Sequence, residues 1–460
     1  MAHLNTVQQT GLSAMRFFLI SLISLFLLQG CSSGSSANNP WLRPGQQQAQ
    51  KTPDSLNINS QWMHGQAAQG QTPVPPALTV NPSPMMTPET GMSPVPAMPF
   101  ASAAPVKVAV LVPLSGNSAD VGEAILNAAQ LALFDIGGNS FELLPRDTKG
   151  TASGAYAAAE SVLHEGAQLI LGPLFAEEVR AVSPVAASAN VNMVAFTTDW
   201  KQAGGNTFVM GFMPFGQVQR VLDFAASKNL RRIGVIAPQG EYGDAVLSAY
   251  NASAPRAGIT TIDTMRFRPG EPNLSVPVQK FTRIDQRRQP NGVLLPAPFD
   301  AVFIPAGGAD ARTISNLLSY YDADPQNVKR IGTGLWDDPA MARESSLNGG
   351  WFAAPDPRAR KVFENKYRNA YGTTPPRLAS LGYDATALAA ALARAGLKNG
   401  NAPAFDRNAI STANGFAGID GIFRFRPDGV AERGLAILEL RNGQAIVIDP
   451  APKTFQAAGM

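Results

Sequence analysis

Four aspartates, Asp147, Asp199, Asp337 and Asp338, stand at or just beyond the ends of apolar runs, where paired carboxylates can serve as general acid and base. Hydroxyl side chains fall at similar positions: Ser115, Thr197, Thr198 and Tyr242. The other ingredients of catalysis do not appear. The one cysteine, Cys31, excludes an internal disulfide and a CxxC metal site, and His3, His64 and His164 are too scattered for a metal cluster. No GxSxG elbow or P-loop occurs in residues 105–460. Gly332-Thr333-Gly334 follows an apolar run, but no third glycine comes after it and Leu335-Trp336-Asp337-Asp338 does not suit a phosphate. Strand-end carboxylates more commonly hold a ligand or cap a helix, so the chain reads as a binding protein and not an enzyme, with no metal or cofactor. The expected lining of its site is Ser115, Gly172, Phe175, Thr197, Thr198, Tyr242, Trp336 and Asp337.

The elements that must position these residues alternate along the chain. Val106–Val112 is a β-branched run ended by Pro113, and apolar residues at helical spacing follow: Val121, Ile125, Ala128, Ala129, Ala132 and Leu133. A buried strand feeding a helix through a small polar turn opens a parallel α/β sheet. Ligands of such sheets sit beyond the carboxyl ends of the strands, where Leu114, Ser115 and Gly116 fall. Further strands are expected at 141–148, 168–171 and 192–196, with helices at 152–165 and 175–189. A second series follows a crossing strand at 208–212. Its strands are expected at 232–237, 259–266, 301–305 and 330–333, and its helices at 217–228, 243–256, 276–289 and 311–321. Residues 351–354 and 416–425 read as two further crossings, with helices at 357–371 and 378–395 between them. Asp428-Gly429 and Asn442-Gly443 read as hairpin turns.

The 460 residues carry 37 Lys and Arg against 34 Asp and Glu, a formal charge of +3 that creates no field for nucleic acid. Arg16 precedes an apolar run, 17–28, that is short for a membrane span and suits a secretory signal. The run ends in Leu28-Gln29-Gly30-Cys31, which resembles the bacterial lipobox. The resemblance implies that residues 1–31 are a lipoprotein signal and that Cys31 is lipid-modified. With Ser32-Ser33 following and no aspartate there, it implies periplasmic display from the inner leaflet of the outer membrane. Residues 32–104 are rich in Pro, Gln, Ser, Asn and Gly, with Arg43, Lys51, Asp54 and Glu89 as their charges. They read as a disordered tether that spans roughly 45–50 Å as a coil.

Pro113-Leu114-Ser115-Gly116, Asp147-Thr148, Gly172-Pro173-Leu174, Thr197-Thr198 and Glu241-Tyr242-Gly243, in this order and spacing, resemble the type 1 periplasmic binding proteins over about 105–450. The resemblance implies an α/β fold of two Rossmann-like lobes with parallel sheets, joined by a three-crossing hinge. Lobe one would take about 105–212 and 353–414, and lobe two about 213–352 and 415–450. In the amino-acid binders of this family, polar groups after strands one, three and four hold the ligand backbone, and an acid in lobe two meets the ammonium. The matching positions are Ser115, Leu174-Phe175, Thr197-Thr198, Tyr242 and Asp337. One position departs. Where those binders place a small hydroxyl after Gly-Pro, Leu174, Phe175 and Ala176 set apolar bulk before a helix N-terminus suited to a carboxylate.

The lipobox and tether, with VLVPLSG, IGVIAPQGEYG, FDAVFIPAGGADAR and SLNGGWFAAPDP, together resemble the penicillin-binding-protein activator family (LppC/LpoA-like lipoproteins). The helical-repeat N-terminal domain of some members is replaced here by the short tether. This resemblance implies a lipid-anchored regulator that activates a peptidoglycan synthase through protein contact. The alternative is the substrate-binding protein of an ABC transporter for branched-chain or other amino acids or small solutes. The expected partner surface lies in 287–300, where Val293, Leu294 and Leu295 are apolar beside Arg287 and Arg288. Packing of this loop on its own lobe is the competing expectation.

Overall fold

Residues Val108, Ala109, Val110, Leu111 and Val112 have no exposed surface, as in a strand covered on both faces. They belong to β1 (Val106–Val112) in the computed structural model, which describes residues 105–136, 141–399 and 402–455. Cys31 and the tether at 32–104 lie outside the described residues. From β1 the chain runs through α1 (Ala119–Ile136), β2 (Phe141–Asp147), α2 (Ala152–His164), β3 (Leu169–Leu171), α3 (Ala176–Ser188), β4 (Asn192–Ala195) and β5 (Thr207–Val209). These strands form one parallel sheet in the order β2-β1-β3-β4-β5. Pro145 is tolerated in β2 because that strand is an edge.

Next come α4 (Pro214–Ser227), β6 (Arg232–Pro238), α5 (Glu241–Ser253), β7 (Thr260–Phe267), α6 (Ser275–Thr282), α7 (Ile284–Arg287) and β8 (Ala301–Phe303). They are followed by α8 (Gly308–Tyr320), β9 (Lys329–Gly332), α9 (Pro339–Ala342) and β10 (Trp351–Ala354). The chain then passes through α10 (Pro357–Tyr371), α11 (Ala379–Asn399) and α12 (Arg407–Ile410). An antiparallel sheet follows, made of β11 (Phe416–Gly418), β12 (Gly421–Phe425) and β13 (Ala431–Arg433). The described chain finishes with β14 (Ala436–Arg441) and β15 (Gln444–Asp449). The second large sheet has the order β15-β14-β10-β9-β8-β6-β7 and is parallel except where β14 and β15 join it. The protein is thus an α/β fold with two parallel-sheet lobes.

The described chain passes between the lobes after β5, after β10 and after β13. The first two passages leave from strand carboxyl ends, so those ends of both sheets border the crossings. Three expectations change. Residues 416–425 form the β11–β12 hairpin instead of a crossing, and their sheet continues toward lobe one through a bridge between Val209 and Val430. Trp351–Ala354 is an inner strand of lobe two, buried on both faces, and the crossing follows it. The helix expected over 276–289 breaks at Arg283, whose φ of 53° ends α6 and starts α7.

Lobe one closes when α11 packs on α1. A Cβ on Gly382 would lie 2.1 Å from the Ile125 carbonyl oxygen, so the close approach of the two helices requires glycine there. The Tyr371 hydroxyl of α10 donates to the Asn127 carbonyl of α1 at 2.9 Å.

Candidate functional site

After β1, the Ser115 hydroxyl donates to Asp147 Oδ2 at 2.6 Å, and the Leu114 and Lys149 N–H groups donate to Oδ1 at 2.8 and 2.7 Å. Burial works against the Asp147 charge, but these donors outweigh it and hold the carboxyl below its ordinary range. After β3, Gly172 has φ +97°, and a Cβ there would lie 2.1 Å from the Leu111 carbonyl oxygen. Glycine is therefore required where β3 turns toward α3. Phe175 precedes α3 as its N-cap, and its N–H donates to Glu178 Oε2 at 2.9 Å. Glu178 has no exposed surface. Burial pushes its carboxyl up, while the Thr148 hydroxyl and the Phe175 and Leu174 N–H groups pull the other way. The helix N-terminus is therefore met by a carboxylate from its own first turn. The Phe175 ring rests toward the turn after β2, 3.6 Å from where a Cβ on Gly150 would sit.

After β4, the buried Thr197 hydroxyl accepts from the Asp199 N–H at 3.1 Å, and Thr198 is half-buried. Asp199 accepts from the Lys201 N–H at 3.1 Å and from Gln202 Nε2 at 2.8 Å. Trp200 meets Phe215 of lobe two edge-on, with ring centroids 4.9 Å apart.

On the lobe-two side, the Tyr242 hydroxyl lies 2.9 Å from Thr333 Oγ1. Burial pushes the Tyr242 phenol up, and the Thr333 bond opposes this. Gln217 of α4 accepts the Gly334 N–H at 2.7 Å, which fixes the turn after β9. Asp338 caps α9 by accepting the Ala340 N–H at 2.6 Å. Asp337 is held by Arg360 of α10, which is packed on lobe one; one guanidinium nitrogen meets Oδ2 and another donates to Oδ1 at 3.2 Å. Ser115, Gly172, Phe175, Thr197, Thr198, Tyr242 and Asp337 thus stand near the strand ends that border the crossings.

Trp336 does not. It has no exposed surface, and its indole N–H donates to the Ala306 carbonyl at 2.9 Å. The short 3-10 turn Gly334–Trp336 directs the ring inward, onto Gly332 and Gly350, which lack the side chains that would collide with it. Trp336 belongs to the core of lobe two.

The 287–295 segment is a small hairpin in which Arg288 pairs with Leu294 and the Gln289 N–H donates to the Val293 carbonyl at 2.8 Å. Val293 and Leu295 are 53% and 44% exposed, Leu294 is half-buried and Arg288 is exposed. Arg287 is no surface residue. Its buried guanidinium donates to the Leu295 and Asp322 carbonyls, each at 2.9 Å, and so staples the hairpin to the end of α8.

Sequence reading missed a set of buried charges beside the first and third crossings. Asp420 accepts from Ser380 at 2.5 Å and lies 2.8 Å from Arg377. Asp384 accepts from the Ile419 N–H at 2.7 Å and lies 3.7 Å from Arg433. Arg433 also donates to the Met210 carbonyl at 3.1 Å, and both arginines lie over the Phe212 ring. Burial and the neighbouring Asp420 charge push Asp384 up to about 7. Burial also opposes the Asp420 charge, but Arg377 and Arg433 hold that carboxyl low. The residues of this set come from separate segments, so no local spacing announces them. Glu178 did carry a signal, an acid three residues after the helix N-cap.

Two sheets with their carboxyl ends turned toward shared crossings define a bilobed binding protein. The family model for periplasmic binding proteins matches residues 105–445, and the chain belongs to that family. The chain is 24% identical over 227 residues to a Leu/Ile/Val-binding protein of Rhizobium johnstonii, covering 47% of this chain and 59% of that one. It is 26% identical over 195 residues to a Leu/Ile/Val-binding protein homologue of Brucella melitensis, covering 40% and 53%. The chain thus spans less than two thirds of either relative. A solved structure of a branched-chain amino acid ABC transporter periplasmic ligand-binding protein from Burkholderia xenovorans superposes with a TM-score of 0.60 at 16% identity, covering 75% of this chain and 94% of that one. The relatives are binding proteins, not enzymes, and family membership implies a periplasmic location.

Proposed function

We propose that this chain is the solute-binding protein of a periplasmic uptake system, built on the plan of the branched-chain amino-acid receptors. The observation that carries this reading is the placing of hydroxyl groups at the strand ends of both lobes: Ser115, Thr197 and Thr198 on one, Tyr242 and Thr333 on the other. Hydroxyls on two bodies joined by three strands of chain suit a ligand gripped by closure. In this reading residues 1–31 direct export, Cys31 carries a lipid, and 32–104 tether the domain to the outer membrane. Small-angle scattering tests it. The radius of gyration should fall when the protein is mixed with the low-mass fraction of a bacterial extract, and an unchanged radius counts against it.

A second reading, the lipid-anchored activator of a peptidoglycan synthase, draws support from the exposed Val293 and Leu295. In-cell cross-linking separates the two. Recovery of an ABC permease favours uptake, and recovery of a peptidoglycan synthase favours the activator.

A further inference from the structure

The first and third crossings meet at one guanidinium. Arg433 ends β13, one residue before Gly434 and the passage to lobe two. It donates to the Met210 carbonyl at 3.1 Å, one residue before Gly211 in the first crossing. A glycine in each crossing suits a point of bending, because no Cβ restricts the turn. The guanidinium lies 5.0 Å from the Phe212 ring and 5.2 Å from the Phe423 ring, with the side chain 6% exposed. Its Nε and Nη1 have no hydrogen-bond acceptor among the described residues. Nη1 faces Asp384 Oδ2 of α11 at 3.7 Å, too far for a hydrogen bond. Charge alone therefore joins this pair, and its strength follows the charge on Asp384. The carboxyl itself is fixed. Its Oδ1 accepts the Ile419 N–H at 2.7 Å, and a Cβ on Gly418 would lie 2.5 Å from Oδ2.

We propose that Asp384 and Arg433 form a proton-operated clamp on the hinge: ionised Asp384 holds Arg433 against both crossings, and a proton on Asp384 lets the guanidinium turn to Asp420 and frees the lobes to change their angle. Burial and the Asp420 charge push the Asp384 carboxyl up to about 7, so its charge changes near neutral pH. Moving Arg433 away would make the carboxyl hold its proton more tightly still, so acid favours the released state. The other charges around the pair have partners. Asp420, between β11 and β12, is held by Ser380 at 2.5 Å and Arg377 at 2.8 Å. On α1, Asp135 is held by Lys366 of α10 and Tyr383 of α11, each at 2.8 Å. Arg360 of α10 feels the Asp420 charge but is bound to Asp337 and Glu364. Glu432 of β13 pairs with Arg424 of β12 at 3.0 Å. The first crossing, 210–213, carries no ionisable side chain.

The test is the distance between the lobes as a function of pH. Nitroxides on cysteines replacing the exposed Tyr156 of lobe one and Tyr320 of lobe two, in the full chain carrying Cys31→Ser, report it by double electron–electron resonance. One narrow distance is expected at pH 8. At pH 5.5 a second distance should grow at least about fivefold in population. Asp384→Asn, which cannot take the charge, should show the two-distance pattern at both pH values. Arg433→Lys keeps the positive charge on a single nitrogen that cannot hold Asp384 and Met210 together, and it should lose most of the pH response; it serves as a second variant should the first fold poorly. The same distances in the parent at both pH values overturn the proposal, and so does a full pH response in either variant.

Discussion

Arg360 and Asp337 join the two lobes through a two-pronged ion pair beside the second crossing, with side chains only 18% and 13% exposed. The pair is too shielded to be a weak surface contact and too close to solvent for the full energy of a buried one. Asp337→Asn should therefore destabilise the protein by about 1–3 kcal/mol and let the lobes part. Small-angle scattering should show a larger radius of gyration in the variant. A radius equal to the parent's would mean that the crossings alone set the angle between the lobes.

A carboxyl whose pKa is higher in the folded than in the unfolded chain holds its proton more tightly when folded. Its stabilising contribution is complete below the unfolded value and is lost as pH rises through the folded one. For Asp384 that window runs from its ordinary value of 3.8 to about 7. Within it the slope from one group is at most about 1.4 kcal/mol per pH unit. Asp384→Asn keeps the acceptor for the Ile419 N–H and removes the titration. Urea denaturation at several pH values should show the parent losing stability relative to the variant between pH 4.5 and 7. A difference that does not vary with pH would place the titrating group elsewhere.

The hairpin at 287–295 separates packing from surface. Replacing Val293, Leu294 and Leu295 with serine should cost only about 1–2 kcal/mol, because only Leu294 is substantially covered. Arg287→Ala should cost about 2–4 kcal/mol, because it strands the carbonyls that the guanidinium joins. Chemical denaturation of the two variants checks the order, and a larger loss from the triple serine would show the hairpin packed on its own lobe.

Cys31→Ser should leave the protein unprocessed or released from the membrane. Detergent-phase partitioning reads this directly, and partitioning equal to the parent's would exclude a lipid on Cys31.

Much of the fold was legible because burial on both faces leaves continuous apolar runs, as in Val106–Val112 and Arg232–Pro238, and because Gly and Pro mark the turns between them. The crossings were harder to place. Trp351–Ala354 is as apolar as a passage between lobes needs to be, but equally suits a central strand, and only the pairing with β9 and β14 decides. At the site, the hydroxyls were readable from their places after apolar runs. Their neighbours were not. Asp337 looks the same in sequence whether it faces a ligand or Arg360, 23 positions away on another lobe. Trp336 sits among polar residues and still turns inward, because Gly332 and Gly350 leave the space for it.

The dependence of lobe one on α10 and α11 also sets an order of events in time. Asn127 and Tyr371 meet although 244 positions separate them in the chain. The apolar face of α1 is among the first parts of the domain to emerge during export, and its cover is among the last. Until α11 arrives, that face stays open to water and to other chains, and closing so distant a contact is slow. Lobe two holds most of its strands in one continuous stretch and can assemble meanwhile. The half that begins the chain therefore cannot complete its fold until α11 has emerged, and until then a newly exported copy most needs protection from aggregation.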